Sequence, residues 1–163
     1  MTTNPLVRLL FNRGGIGKSI TREETVERLN PLIEQLMRLN FSHNYVIDHC
    51  SEPSIVDQLA TMQKRARNDV GKLAEVVLSA GGVSYNGTEL RHETFDLGDT
   101  DNKMLFELLD REQAFYGAVQ DELDISHHLR TQAVLENVAA NSEDRLGYLK
   151  QVTSSRHRPT AAR

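Results

Sequence analysis

Between Pro53 and Gly81 the apolar residues Ile55, Leu59, Met62, Ala66, Val70, Leu73 and Val77 follow one another in steps of three and four. That spacing draws one stripe along an α-helix and does not match the two-residue alternation of a half-buried strand. The helix is expected to start near Ser54, just after Pro53, and to stop at Gly81-Gly82. A helix with a single apolar stripe has to bury that stripe against other elements. The rest of the chain must therefore supply partners of the same kind.

It does so three more times. Asn30-Pro31 reads as a helix start, Asn as the cap and Pro in the first turn, opening a helix over about 31–49. Thr21 and Glu24 form a capping-box pattern for a short helix through residue 29. A third pattern over about 102–128 carries Leu105, Leu108, Glu112, Phe115 and Val119. A fourth over about 131–152 carries Leu135, Val138, Ser142, Arg145, Leu149 and Val152. Residues 83–100 lack periodicity, contain Asn86-Gly87 and Gly98, and read as a long connection. The expected fold is an all-α, antiparallel four-helix bundle with a long crossover between its second and third helices. The expected organisation is a lead segment over 1–29, the bundle over 30–152 and a disordered basic tail over 153–163.

Polar residues interrupt two of the stripes. Glu112, Ser142 and Arg145 fall where apolar side chains belong and are expected to point into the bundle, while Asp69 lies beside Val70 at the edge of its stripe.

A length of 163 residues suits one domain with a sizeable core. No apolar run reaches the length of a membrane span, and Arg8 and Arg13 interrupt the apolar residues near the N-terminus that a signal peptide would keep continuous. Cys50 is the only cysteine, so neither an internal disulfide nor a cysteine metal cluster can form. These features fit a cytoplasmic location. Charge is uneven: Arg8, Arg13, Lys18 and Arg22 at one end and Lys150, Arg156, Arg158 and Arg163 at the other have no acid among them, and all 23 acids lie between. The basic ends are expected to be solvated or to lie on the acidic body of a neighbouring subunit. The alternative is that they bind a polyanion such as DNA.

Several short segments resemble the ferritin-like superfamily, bacterioferritins in particular. They are Leu39 to Tyr45 (LNFSHNY), Lys72 to Val83 (KLAEVVLSAGGV), Arg111-Glu112 with Ala114 and Tyr116, and Arg145 to Leu149 (RLGYL). The resemblance spans roughly residues 30–152. It implies two helical hairpins whose interior gathers a Glu from each of two helices and a Glu-x-x-His pair from each of the other two around a di-iron site. Carried over by position, the first Glu falls on Arg38, one pair on Ala66 and Asp69, the second Glu on Glu112 and the other pair on Ser142 and Arg145. Of these, only Asp69 and Glu112 are carboxylates. Arginine does not deprotonate to bind a metal, and its charge repels one. The resemblance thus implies a bundle that has lost its metal site, with Arg38, Asp69, Glu112 and Arg145 forming a charge-neutral network beside Ser142. With the first helix one turn out of register, Glu34, Asp69 and Glu112 would instead form a weak metal site.

Other motifs carry less. Gly14-Gly15-Ile16-Gly17-Lys18-Ser19 looks like a phosphate-binding loop, but Asn12 stands at the usual first glycine and nothing downstream offers a parallel sheet, so a glycine-rich connector is the expectation. His43, His49, His92, His127, His128 and His157 show no common spacing for a metal and are expected at the surface or in caps. Cys50 is expected to be a packed thiol at a helix end.

The expected function is that of a non-catalytic ferritin-like protein, without cofactor, acting as a homo-oligomer or on a protein partner. The alternatives are a ferritin-like iron protein, with a di-iron oxidase-like or storage role, and a polyanion binder.

Overall fold

The computed structural model describes residues 19–159, and among them it shows four long helices and no strand. They are α1 (Arg22–His49), α2 (Pro53–Ser79), α3 (Asp101–Leu123) and α4 (Leu129–Thr153), with a single 3-10 turn at His92–Thr94 in the crossover. The glycine-rich motif at residues 14–18 lies outside the described residues.

The helices pair as α1 with α2, α3 with α4, α1 with α3 and α2 with α4, so α2 and α3 are diagonal to each other. Arg28, near the start of α1, meets Glu122 at the end of α3. Ser51, just past α1, meets Asp101 at the start of α3. On the other side Asp69 of α2 meets Asn141 of α4 and Arg65 meets Asp144, which sets those two helices antiparallel. The connection from α2 to α3 therefore runs the length of the bundle along α1. Tyr45 holds it there by donating to Asp96 and to the Gly98 carbonyl, and Phe41 by stacking on Phe95.

The core is the sum of the four stripes: Leu29, Ile33, Leu36 and Val46 from α1, Leu59, Ala66, Leu73 and Val77 from α2, Leu105, Leu108, Phe115 and Val119 from α3, and Leu135, Val138 and Leu149 from α4 are all fully buried. Leu97 of the crossover joins them. Burying each of these larger side chains contributes about 1.5–3 kcal/mol toward offsetting the entropy of ordering the chain.

The start of the first helix differs from the sequence expectation. The capping box at Thr21 and Glu24 is present, but the helix it opens runs unbroken through Asn30 and Pro31 to His49. Asn30 does not cap. Its side-chain amide donates to the Val83 carbonyl and its Oδ1 accepts from the Tyr85 N–H, so it holds the start of the crossover. The proline is tolerated because it faces solvent, where the carbonyl left without a partner can meet water. The expected divide at residue 29 is thus the middle of a helix. At the other end the chain beyond Thr153 also packs. Thr153 is buried, Arg156 pairs with Glu52 and Asn102, and Arg158 forks onto Asp110 over the ring of Phe106.

Candidate functional site

Glu112 takes its place in the core because it occupies the stripe of α3, one turn after Leu108 and just before Phe115, both fully buried. Ser142 and Arg145 do the same in α4, between Val138 and Leu149. The two helices bring these three side chains together. Arg145 Nε donates to Glu112 Oε2 at 2.9 Å, and the Ser142 hydroxyl donates to Oε1 at 2.6 Å. The fourth member is His43 of α1, whose Nε2 lies 3.5 Å from Oε2. A carboxylate only accepts, so Nε2 is the donor in this contact. Glu112, Ser142 and His43 are all 0% exposed and Arg145 is 1% exposed. Burial pushes the Glu112 carboxyl up, but the hydrogen bond from His43 and the charge and hydrogen bond of Arg145 outweigh it and hold the group below the ordinary glutamate value.

The other residues expected in this network lie elsewhere. Arg38 is on the outer face of α1, where it pairs with Glu34 one turn earlier, both half exposed. Its side chain reaches solvent because Leu36 and Leu39 hold the core-facing positions on either side of it. Asp69 is buried, but both its oxygens accept from Asn141 at 3.0 and 2.9 Å, and Lys72 approaches at 3.4 Å from the edge. It belongs to the α2–α4 seam, not to the Glu112 cluster. Ala66 is fully buried in the stripe of α2.

This donor set does not fit a di-metal centre. Glu112 and His43 are the only two candidate ligands in the cluster, and the carboxylate is already held by a guanidinium that cannot give up its charge. The one-turn shift of α1 does not assemble a site either, since Glu34 is turned outward onto Arg38 and Asp69 onto Asn141. Among the described residues no group of three or more His, Cys, Asp or Glu is arranged to hold a metal ion.

Two histidines expected at the surface or in caps, His43 and His127, are buried. His43 continues the α1 stripe of Leu36, Leu39 and Val46, and that step of three and four was the signal for its place in the interior. His127, in the α3–α4 connection, lies 2.6 Å from Glu122 Oε1. Arg28 of α1 completes this second cluster with a forked contact to Glu122 at 2.7 and 3.2 Å. Burial pushes Glu122 up, and the hydrogen bonds of His127 and Arg28 outweigh it and hold the carboxyl low. Glu122 also had a signal, since it extends the stripe of Phe115 and Val119. Cys50 caps α1 partly buried. Burial, opposed by a backbone hydrogen bond at Glu52, pushes its thiol up and away from the reactive thiolate.

In sequence comparisons the chain matches no protein-family model and no curated protein.

Proposed function

We propose that this chain is a non-catalytic helical-bundle protein of ferritin-like descent, acting in the cytoplasm by assembling with itself or by binding a protein partner. The observation that supports this most directly is Arg145 seated on Glu112 in the middle of the bundle. A ferritin-type centre gathers carboxylates and imidazoles there to offset the charge of two metal ions. Here a fixed guanidinium charge does that for Glu112, and the remaining carboxylate, Asp69, is taken by Asn141 and Lys72. What is left of such a site is an ion pair that holds α3 and α4 together. The Ser142 hydroxyl is spent on Glu112 and not on His43, and all four side chains of the cluster are closed off from solvent.

The alternative of an iron-oxidising or iron-storing protein is tested by elemental analysis of the purified chain after incubation with ferrous, manganous and zinc ions. The proposal expects far less than one metal per chain, unchanged by Glu112→Ala. Near-stoichiometric metal that is lost in Glu112→Ala would overturn it. Self-assembly or partner capture is read by sedimentation and by crosslinking in cell extract. The polyanion reading has less support, because Arg156 and Arg158 already pair with Glu52 and Asp110 of the body. Duplex DNA binding by the full chain, lost at moderate salt and lost on removing residues 1–20 and 153–163, would restore it.

A further inference from the structure

The Arg145 cluster is well paired on one side only. Nε serves Glu112, but Nη1 and Nη2 are both buried and neither has a hydrogen-bond partner among the described residues. Across the interior, His43 Nδ1 is also buried without a partner. With Nε2 turned toward Glu112, Nδ1 is the ring nitrogen left over. One turn before His43 on α1, Asn40 Oδ1 is a buried acceptor without a partner. The interior thus holds surplus donors on α4 and, on α1, a surplus acceptor and an unpartnered ring nitrogen. Groups of this kind are costly to bury unsatisfied and are seldom left so.

The kind of molecule that would satisfy them follows from chemistry and charge. A cation is repelled by Arg145. An anion would accept from Nη1 and Nη2, but it could do nothing for Asn40 Oδ1. It would also add a charge to an interior in which Glu112 is already balanced by Arg145 and Asp69 by Lys72. The guest has to be small and neutral, and both donor and acceptor. Water meets all of these conditions, and Ala66 and Ser142, two small buried residues in the stripes of α2 and α4, are the positions that would leave it room.

We propose that the bundle interior beside Arg145 binds a small cluster of ordered, slowly exchanging water molecules, about two in number, that accept from the Arg145 Nη groups and reach His43 Nδ1. The site stands on these unpartnered atoms alone and is independent of the reading as a former metal centre. Oxygen-17 and deuterium relaxation dispersion of water in a solution of the full chain counts water held long in the interior. The expected result is a count that falls by about two in the paired variant Arg145→Met, Glu112→Leu, which removes both charged members of the cluster together, and that is kept in the surface variant Arg158→Met. No long-lived water in the parent, or the same number in the paired variant, would overturn the proposal. Should the paired variant not fold, a high-resolution crystal structure of the parent decides the point. Ordered oxygen within hydrogen-bond distance of Nη1 or Nη2 supports the site, and protein atoms closing onto both nitrogens refute it.

Discussion

Glu112 and Glu122 stand on the same helix and are held in the same way: each buried carboxylate lies between one arginine and one histidine brought from other elements. For Glu112 the arginine comes from α4 and the histidine from α1. For Glu122 the arginine comes from α1 and the histidine from the α3–α4 connection. Helix α3 is therefore tied to its neighbours at two levels by charge-assisted hydrogen bonds, in addition to its apolar stripe.

The inner tie is the one whose loss costs most. Glu112→Ala leaves the Arg145 guanidinium buried and unpaired, and it is expected to destabilise the fold by about 3–5 kcal/mol. Replacing the pair together, Arg145→Met with Glu112→Leu, removes both charges but leaves the Ser142 hydroxyl and His43 Nε2 without their acceptor, so it is expected to cost less than Glu112→Ala. Urea unfolding of the two variants checks this. Equal losses in both would mean that packing volume, not charge, governs the site.

Arg38 supplies the contrast. Its pair with Glu34 is half exposed and lies along one helix, so Arg38→Ala is expected to change stability by no more than about 0.5 kcal/mol. A loss near that of Glu112→Ala, measured in the same unfolding assay, would mean that Arg38 reaches the interior in solution.

Why Arg38 was misplaced shows how far the sequence can be read. Glu112, Ser142 and Arg145 each interrupt an apolar stripe, and the stripe alone puts them inside. Arg38 interrupts none. It entered the expected network only by its position in the resemblance to bacterioferritins, and Leu36, Leu39 and His43 show which face of α1 turns inward. His43 and Glu122 were legible by the same spacing. The Arg28–Glu122–His127 cluster as a whole was not, because it joins α1, α3 and a loop, and no local pattern reports which helix ends meet. The helix over 22–49 was obscured by Asn30-Pro31, whose residue types favour a start that the continuous apolar stripe overrides.

Acid should loosen both ties. Glu112 and Glu122 have folded-state values below the ordinary glutamate value. Each therefore contributes stability that is present above the unfolded value, about 4.3, and is lost as the pH falls from there through the lower folded value. Glu122→Gln removes one of these contributions. The stability gap between parent and Glu122→Gln is expected to be largest near neutral pH and to shrink as the solution is acidified below about pH 4. Unfolding midpoints over a pH series check this, and a gap that stays constant would show that Glu122 is not gripped as its ionised form.

Asn30 and Pro31 are neighbours with opposite expected effects. Pro31 has no N–H to give the carbonyl one turn earlier, and a proline inside a helix costs roughly 3 kcal/mol relative to alanine. Part of that cost is offset because proline also stiffens the unfolded chain, by up to about 1 kcal/mol. Since Pro31 is exposed and packs against nothing in the core, Pro31→Ala is expected to stabilise the protein by about 1–2 kcal/mol. Asn30→Ala removes the two hydrogen bonds that hold Val83 and Tyr85, and it is expected to cost about 1–2 kcal/mol. It should also speed amide hydrogen exchange at Tyr85, a local readout that Pro31→Ala leaves unchanged. If Asn30 were instead a helix cap, with the chain starting a new helix at Pro31, Pro31→Ala would bring no gain and amide exchange at Tyr85 would be the same in all three proteins.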